Sequence, residues 1–272
     1  DEAMRCYDQA DKLSGERLDV MKELERISER SEKWDSLVEI LERETKVIED
    51  LDEKIAVRYK IGTVQEFKLG NDEKAAESYA AVIEMEETHR DALISLERVD
   101  ERLGRWENIL EVYNKQLACF AEPKEQIDIY SKVSKVYENH FNDIENAITC
   151  MIQITLIDSE NLMAISELER LYEIAERWQD LRDILNVHLN TLNNVNEHVE
   201  IYRKLGEVYR DKLNDAYSSV ESYQSLIGIA PDDVPALYAL ADLYQDAEDY
   251  ISAIDYLNRV INCLTDPSEA IT

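Results

Sequence analysis

The sequence predicts an all-α solenoid, with antiparallel helix pairs, about 15 helices in all, stacked along one line. Three observations carry this. First, Leu168-Glu169-Arg170-Leu171, running on to Arg177-Trp178, recurs 72 residues earlier as Leu96-Glu97-Arg98-Val99 and Arg105-Trp106. It recurs again, another 72 residues back, as Leu24-Glu25-Arg26-Ile27 and Lys33-Trp34. A fourth copy, Leu240-Ala241-Asp242-Leu243, has Tyr250 in the Trp place, so all three tryptophans are one repeat position. Self-similarity at a fixed period marks stacked repeats, each packing on its neighbours. Second, Leu, Ile and Tyr recur at three- and four-residue spacing, the period of a helix face. Third, 6 Gly and 4 Pro among 272 residues leave little turn chemistry, which favours long helices and short links.

The opening Ala3-x-x-x-Tyr7-x-x-Ala10 matches Ala75-x-x-x-Tyr79-x-x-Val82, so residues 1–15 are expected to be the second half of a repeat whose first half is absent. Helices over about 17–31 and 33–49 then pair around Trp34. A helix near 52–69 ends at Gly70-Asn71-Asp72, where Asn71 or Asp72 can cap the next helix by accepting its free N–H groups. Phe141-Asn142-Asp143 and Leu213-Asn214-Asp215 repeat that turn. Three small-residue columns, Gly62/Ser134/Gly206, Ala75/Ala147/Ser219 and Ala92/Ala164/Ala236, let neighbouring helices approach closely. Pro123 opens the helix near 123–140, where its missing N–H does no harm. Pro231-Asp232-Asp233 turns between repeats, Pro235 opens the next helix, and the last helix runs to about Leu264. Seven pairs over 16–264 follow the orphan helix, with a tail at 265–272. Residues 1–272 thus read as one elongated domain, two unlike pairs per 72-residue unit, within a longer protein.

Hydrophobic content of 44% is ample for a continuous core. Sixty acidic against 30 basic residues give a formal charge of −30, which repels nucleic acid and anionic membranes. It suits a basic or neutral protein partner, and it also suits a well-solvated helical surface. Cys6, Cys119, Cys150 and Cys263 have no paired spacing, as expected of buried free thiols in a reducing, cytoplasmic compartment. No apolar run approaches the roughly 20 residues that span a bilayer.

The last pair reads Pro235-Ala236-Leu237-Tyr238-Ala239-Leu240-Ala241-Asp242-Leu243-Tyr244, then Glu248-Asp249-Tyr250-Ile251-Ser252-Ala253-Ile254-Asp255-Tyr256-Leu257. This resembles a tetratricopeptide repeat, with Leu237, Leu240, Ala241, Tyr244, Tyr250, Ala253 and Leu257 in the family's places. Tyr202-x-x-Leu205-Gly206-x-x-Tyr209 matches the first-helix pattern too, and Trp106 stands where the link Tyr is expected. The resemblance extends in degenerate form over nearly the whole chain. Repeats average about 36 residues instead of the family's 34, which we attribute to slightly long links. It implies a right-handed superhelix whose first helices line a concave, protein-binding groove and whose second helices form the convex back.

The resemblance places Arg26, Thr63, Arg98, Lys135, Arg170, Glu207 and Asp242 in one groove column. One turn earlier stand Lys22, Tyr59, Ile94, Ser131, Ser166, Arg203 and Tyr238. Arginine clasps carboxylates bidentately, so Lys22, Arg26, Tyr59, Thr63, Arg98, Lys135, Arg170, Arg203 and Tyr238 form a candidate stripe for an acidic peptide or helix, with basic surfaces engaged elsewhere. The competing reading pairs each Arg along its own helix, Arg26 with Glu29, Arg98 with Glu101, Arg170 with Glu173, at about 0.2–0.5 kcal/mol each. The carboxylate-clamp residues of chaperone-binding members are not matched, since Thr63 and Arg98 stand in expected Asn places. The tryptophans read as core wedges rather than ligand platforms.

The histidines at 89, 140, 188 and 198 fall in different repeats, and no HExxH, phosphate loop, GxSxG or Cys–His grouping occurs. No cofactor, metal or catalytic residue is expected. The chain therefore reads as a non-enzymatic interaction scaffold. Two alternatives remain: a sensing arm of a larger enzyme whose catalytic domain lies elsewhere, and self-assembly through uncapped ends.

Overall fold

The structure, a computed structural model, describes residues 17–265. The predicted half-repeat at 1–15, with Cys6, and the tail from 266 onward lie outside the described residues. Fourteen α-helices and no strand occur among those described. The chain divides into two compact units, one ending at Val136 and the other starting at Tyr137. The first holds α1 (Leu18–Arg30), α2 (Trp34–Val47), α3 (Leu51–Phe67), α4 (Asp72–Met85), α5 (Arg90–Leu103), α6 (Trp106–Cys119) and α7 (Pro123–Val136). The second opens on a π-helical turn, Tyr137–Phe141, followed by α8 (Ile144–Ile157), α9 (Leu162–Ile174) and α10 (Trp178–Thr191). A 3₁₀ turn at Val195–Glu197 leads to α11 (His198–Glu207), a second π turn at Val208–Lys212, α12 (Ala216–Ile229), α13 (Val234–Asp246) and α14 (Tyr250–Thr265).

Within each unit consecutive helices pack on each other, and their short links reverse the chain, so neighbouring helices are antiparallel. The links keep the 72-residue period to the level of single hydrogen bonds. Before α2, α6, α10 and α14, a residue in the left-handed region (Glu32, Gly104, Glu176, Glu248) turns the chain. The next N–H then closes on the carbonyl five residues back, as in Lys33 to Ser28 and Arg105 to Asp100. Before α4, α8 and α12 the left-handed residues are Gly70, Asn142 and Asn214. There the closing bonds reach six residues back, Asn71 to Gln65, Asp143 to Tyr137 and Asp215 to Tyr209. Asn71, Asp143 and Asp215 cap the helices that follow. Asp72, the other candidate cap, is the first residue of α4.

Three expectations are corrected. The extra length of alternate repeats lies in their first helices, not in the links. α3 has 17 residues where α1 has 13, and α11 is prolonged by a π turn. The tryptophans at 34, 106 and 178 are half-buried first residues of α2, α6 and α10, so they lie at the edge of the core rather than within it, Trp34 packing against the cluster of Leu37, Val38 and Leu41. Lys68 and Lys212 lie over the rings of Trp34 and Trp178. Of the described thiols only Cys150 is buried; Cys119 and Cys263 are partly exposed at helix C-termini.

The small-residue columns are fully enclosed: Ala75, Ala147, Ala92, Ala164 and Ala236 are all 0% exposed. In the glycine column the reason is visible. A Cβ on Gly62 would lie 2.5 Å from the Tyr79 ring, and one on Gly206 would lie 2.6 Å from Tyr223. The remaining copy has Ser134 in the glycine place, and there the tyrosine is replaced by Met151, a thinner and more pliable side chain. Gly206→Ala should therefore cost about 1–3 kcal/mol in urea unfolding, through overpacking. Adding Tyr223→Met should recover most of the loss; a double variant no more stable than Gly206→Ala would show that the ring is not the obstacle.

Candidate functional site

The candidate residues stand on the first helix of each pair, and most of their charges are spent on the adjacent first helix. Arg98 on α5 donates from Nε and Nη2 to the two carboxylate oxygens of Glu66 on α3, each at 2.8 Å. Arg102, one turn further, donates to the same carboxylate and bidentately to Asp72. The Glu66 side chain is 2% exposed and also receives the Tyr79 hydroxyl. Burial alone would raise its pKa, but the donors from Arg98, Arg102 and Tyr79 outweigh it and hold the carboxyl below its ordinary range. In the second unit Arg170 clasps Glu138 in the same way, at 2.7 Å on each oxygen, and bonds Glu167. Arg203 clasps Asp233, which also caps α13 through the Ala236 N–H.

The remaining candidates are less committed. Lys22 reaches Glu53, and Arg26 pairs with Glu23, its side chain 67% exposed. Tyr59 stacks obliquely between His89 and Tyr79. Thr63 bonds back to the Lys60 carbonyl, and Lys135 is exposed. Tyr238 is 45% exposed and borders a hollow of about 200 Å³ with Arg203, Arg210 and Asp242. The own-helix pairs Arg26–Glu29, Arg98–Glu101 and Arg170–Glu173 do not form. For Arg98 and Arg170 a bidentate partner preceding them, Glu66 or Glu138, wins over the glutamate three positions on, while Arg26 turns back to Glu23 on its own helix. Glu29 and Glu173 are instead taken by Lys60 and Lys204.

A second set of polar groups lies deeper and escapes sequence reading, because glutamate on a helix reads as solvated. Glu97 is 7% exposed and receives Gln116 of α6 and Lys132 of α7. At the 72-residue offset, Glu169 receives His188 of α10 and Lys204 of α11. In the first copy Glu25 receives Lys60, but the place of Gln116 and His188 is held by Glu44. Glu44 is fully buried and neither carboxylate oxygen has a hydrogen-bond partner. Burial first, then Glu25, push it up to about 7, against the opposing pull of Lys22 and Lys60; Glu53 adds to the rise. In the fourth copy both places are apolar, Ala241 and Val260. The signal that would have revealed these centres is a column of identical charges, Glu25/Glu97/Glu169 and Lys60/Lys132/Lys204, set one period apart inside an apolar pattern.

Among the described residues no group of three His, Cys, Asp or Glu could hold a metal ion, and no helix is long and apolar enough to cross a membrane.

These features define a helical repeat protein built of antiparallel helix pairs. A family model described as tetratricopeptide repeat matches residues 234–262, the α13–α14 pair. Among solved structures the chain is similar to a crystal structure of MamA, at 21% identity over 62% of this chain and 94% of that one, with a TM-score of 0.42. It is also similar to the C-terminal part of a TPR repeat-containing protein from Cytophaga hutchinsonii, at 13% identity over 88% and 93%, TM-score 0.42. A tetratricopeptide repeat protein from Parabacteroides merdae aligns at 13% identity over 92% and 94%, TM-score 0.40. The search of curated proteins finds no match.

Glu44 carries a pH prediction. An acid raised from 4.5 to about 7 by folding binds its proton more tightly in the native state. Its contribution is complete below pH 4.5 and is lost as pH rises through 7, a swing of roughly 3 kcal/mol. Glu44→Gln, which places an amide opposite Glu25 as Gln116 stands opposite Glu97, should stabilise the protein at pH 8 far more than at pH 5 in urea unfolding. An equal effect at both pH values would rule out a titrating Glu44.

Proposed function

We propose that the first-helix faces dock a protein partner carrying a carboxylate-bearing segment, and that the chain acts as a scaffold without catalysis of its own. In the first unit the contact residues are Lys22, Arg26, Tyr59, Thr63, Arg98 and Lys135; in the second they are Arg170, Arg203 and Tyr238. The observation that supports this is the state of the arginines. Arg98 and Arg170 are fixed by two-point contacts yet keep 40% and 41% of their side chains exposed. Their planar faces are thus held in place before any partner arrives, so little ordering entropy is lost on binding. Arg26 and Lys135 are the cations with most charge to offer, and Tyr59 and Tyr238 supply amphipathic contact. The surplus of carboxylates over the rest of the surface favours basic surfaces on the same or another partner.

The test compares wild type with Arg26→Glu/Lys135→Glu in affinity capture from the source lysate. These positions lie outside the bidentate clasps, so circular dichroism should show unchanged helicity. A partner lost from the double variant, and weakened for wild type between 50 and 500 mM salt (about a threefold change in screening length), is the expected result. A partner held equally by both proteins would overturn the reading.

A further inference from the structure

A cleft of about 550 Å³ lies between the second helices α4 and α6, floored by α5. Ala76, Ala80, Ile83, Leu96 and Val112 give it an apolar lining, joined by the polar Asn108. At its inner end stands Asp100, 1% exposed, with no hydrogen bond to either carboxylate oxygen. The nearest cation is Arg105, whose Nη1 lies 3.7 Å from Oδ1, too far for a hydrogen bond; its Nη2 is engaged by Glu73. Around the mouth are Glu77, Glu84, Glu87 and Glu111, opposed by Lys115, which pairs with Glu87.

The repeat explains how the cleft arises. The position of Asp100 is held by Ser28, Tyr172 and Tyr244 in the other copies. In the second unit Tyr172 is 7% exposed, with the Arg177 guanidinium 5.1 Å over its ring. Arg177 is the counterpart of Arg105. Relative to that copy, a short carboxylate in place of the aromatic ring both removes volume and leaves a negative charge where Tyr172 buries a phenol. A structural replacement would bring a hydrogen-bond partner for the charge; none is present.

We propose that the α4–α6 cleft receives a lysine or arginine side chain presented by a partner protein, with Asp100 as its inner counter-charge. The methylenes of such a side chain lie along the apolar walls, as long basic side chains do. Its head meets Asp100, while Arg105 keeps Glu73. The acidic mouth draws the basic segment in and repels acidic ones. This site is separate from the first-helix faces and stands or falls independently of them.

The probe is acetyl-Leu-Arg-Leu-amide, titrated calorimetrically into the whole chain, with citrulline in place of arginine as the uncharged control. Saturable binding of the arginine peptide is expected, weakened at least tenfold by citrulline or by Asp100→Asn. Asp100→Tyr, which installs the residue of the third and fourth copies, should abolish it. Burial pushes the Asp100 carboxyl up to about 6, so wild-type affinity should fall as pH drops from 7 to 5, and the Asp100→Asn variant should lack that dependence. Absence of binding, equal binding of both peptides, or indifference to Asp100→Asn would overturn the proposal. Agmatine binding as tightly as the tripeptide would overturn the assignment to a protein side chain. If Asp100→Tyr fails to fold, Asp100→Asn and the citrulline control decide.

Discussion

Charge passed from one first helix to the next is the interaction on which the remaining structure depends. A helix pair buries one face within itself and must find cover for another, and here the cover arrives with a cation. Lys60 reaches back to Glu25, Lys132 to Glu97 and Lys204 to Glu169. On the alternate steps Arg98 reaches back to Glu66 and Arg170 to Glu138. The acceptors are largely buried, so each would be an uncompensated charge without the following pair. Such a contact contributes little net stability against an apolar substitute of the same shape. Its effect is on register, because a pair displaced along its neighbour strands a carboxylate.

The same step can be made with reversed signs. In the last described copy the place of Glu66 and Glu138 is taken by Arg210, and that of Arg98 and Arg170 by Asp242. The attraction survives, since Asp242 favours the charged form of Arg210, although Arg210 makes its closest bond to Asp211. Both members changed together, as expected of groups answerable to each other. The deeper centre was lost the same way: Ala241 and Val260 replace a charged residue and its partner together.

Much of the fold was legible because it is local. The period, the helix starts at Pro123 and Pro235, the Asn71 cap and the enclosed alanines all follow from residues a few positions apart. What was not legible depends on lateral packing. Arg98 has Glu101 within reach on its own helix, and only the closeness of α3 makes Glu66 the better acceptor. Glu44 looks like any solvated glutamate until α1 and α3 close over it. The π turns stayed hidden because an extra residue inside a helix leaves apolar spacing almost unchanged. That the candidate residues stand on first helices was legible, but not that most of their cations already hold a carboxylate.

The alternation of long and short first helices also sets the grain at which such a chain can be cut. Odd and even pairs carry different basic residues toward the preceding copy, lysine on one step and arginine on the next. They also close their turns through different backbone bonds. Excising a single pair would abut two helices whose contacts were shaped for a different neighbour, while excising two consecutive pairs brings Arg170 to the place of Arg98 or Lys204 to that of Lys132, surfaces that already match; the last described copy, with Arg210 and Asp242 reversed, is the exception. Duplication, loss or exchange of segments in the gene is therefore cheapest in steps of 72 codons, the spacing at which the tryptophans stand.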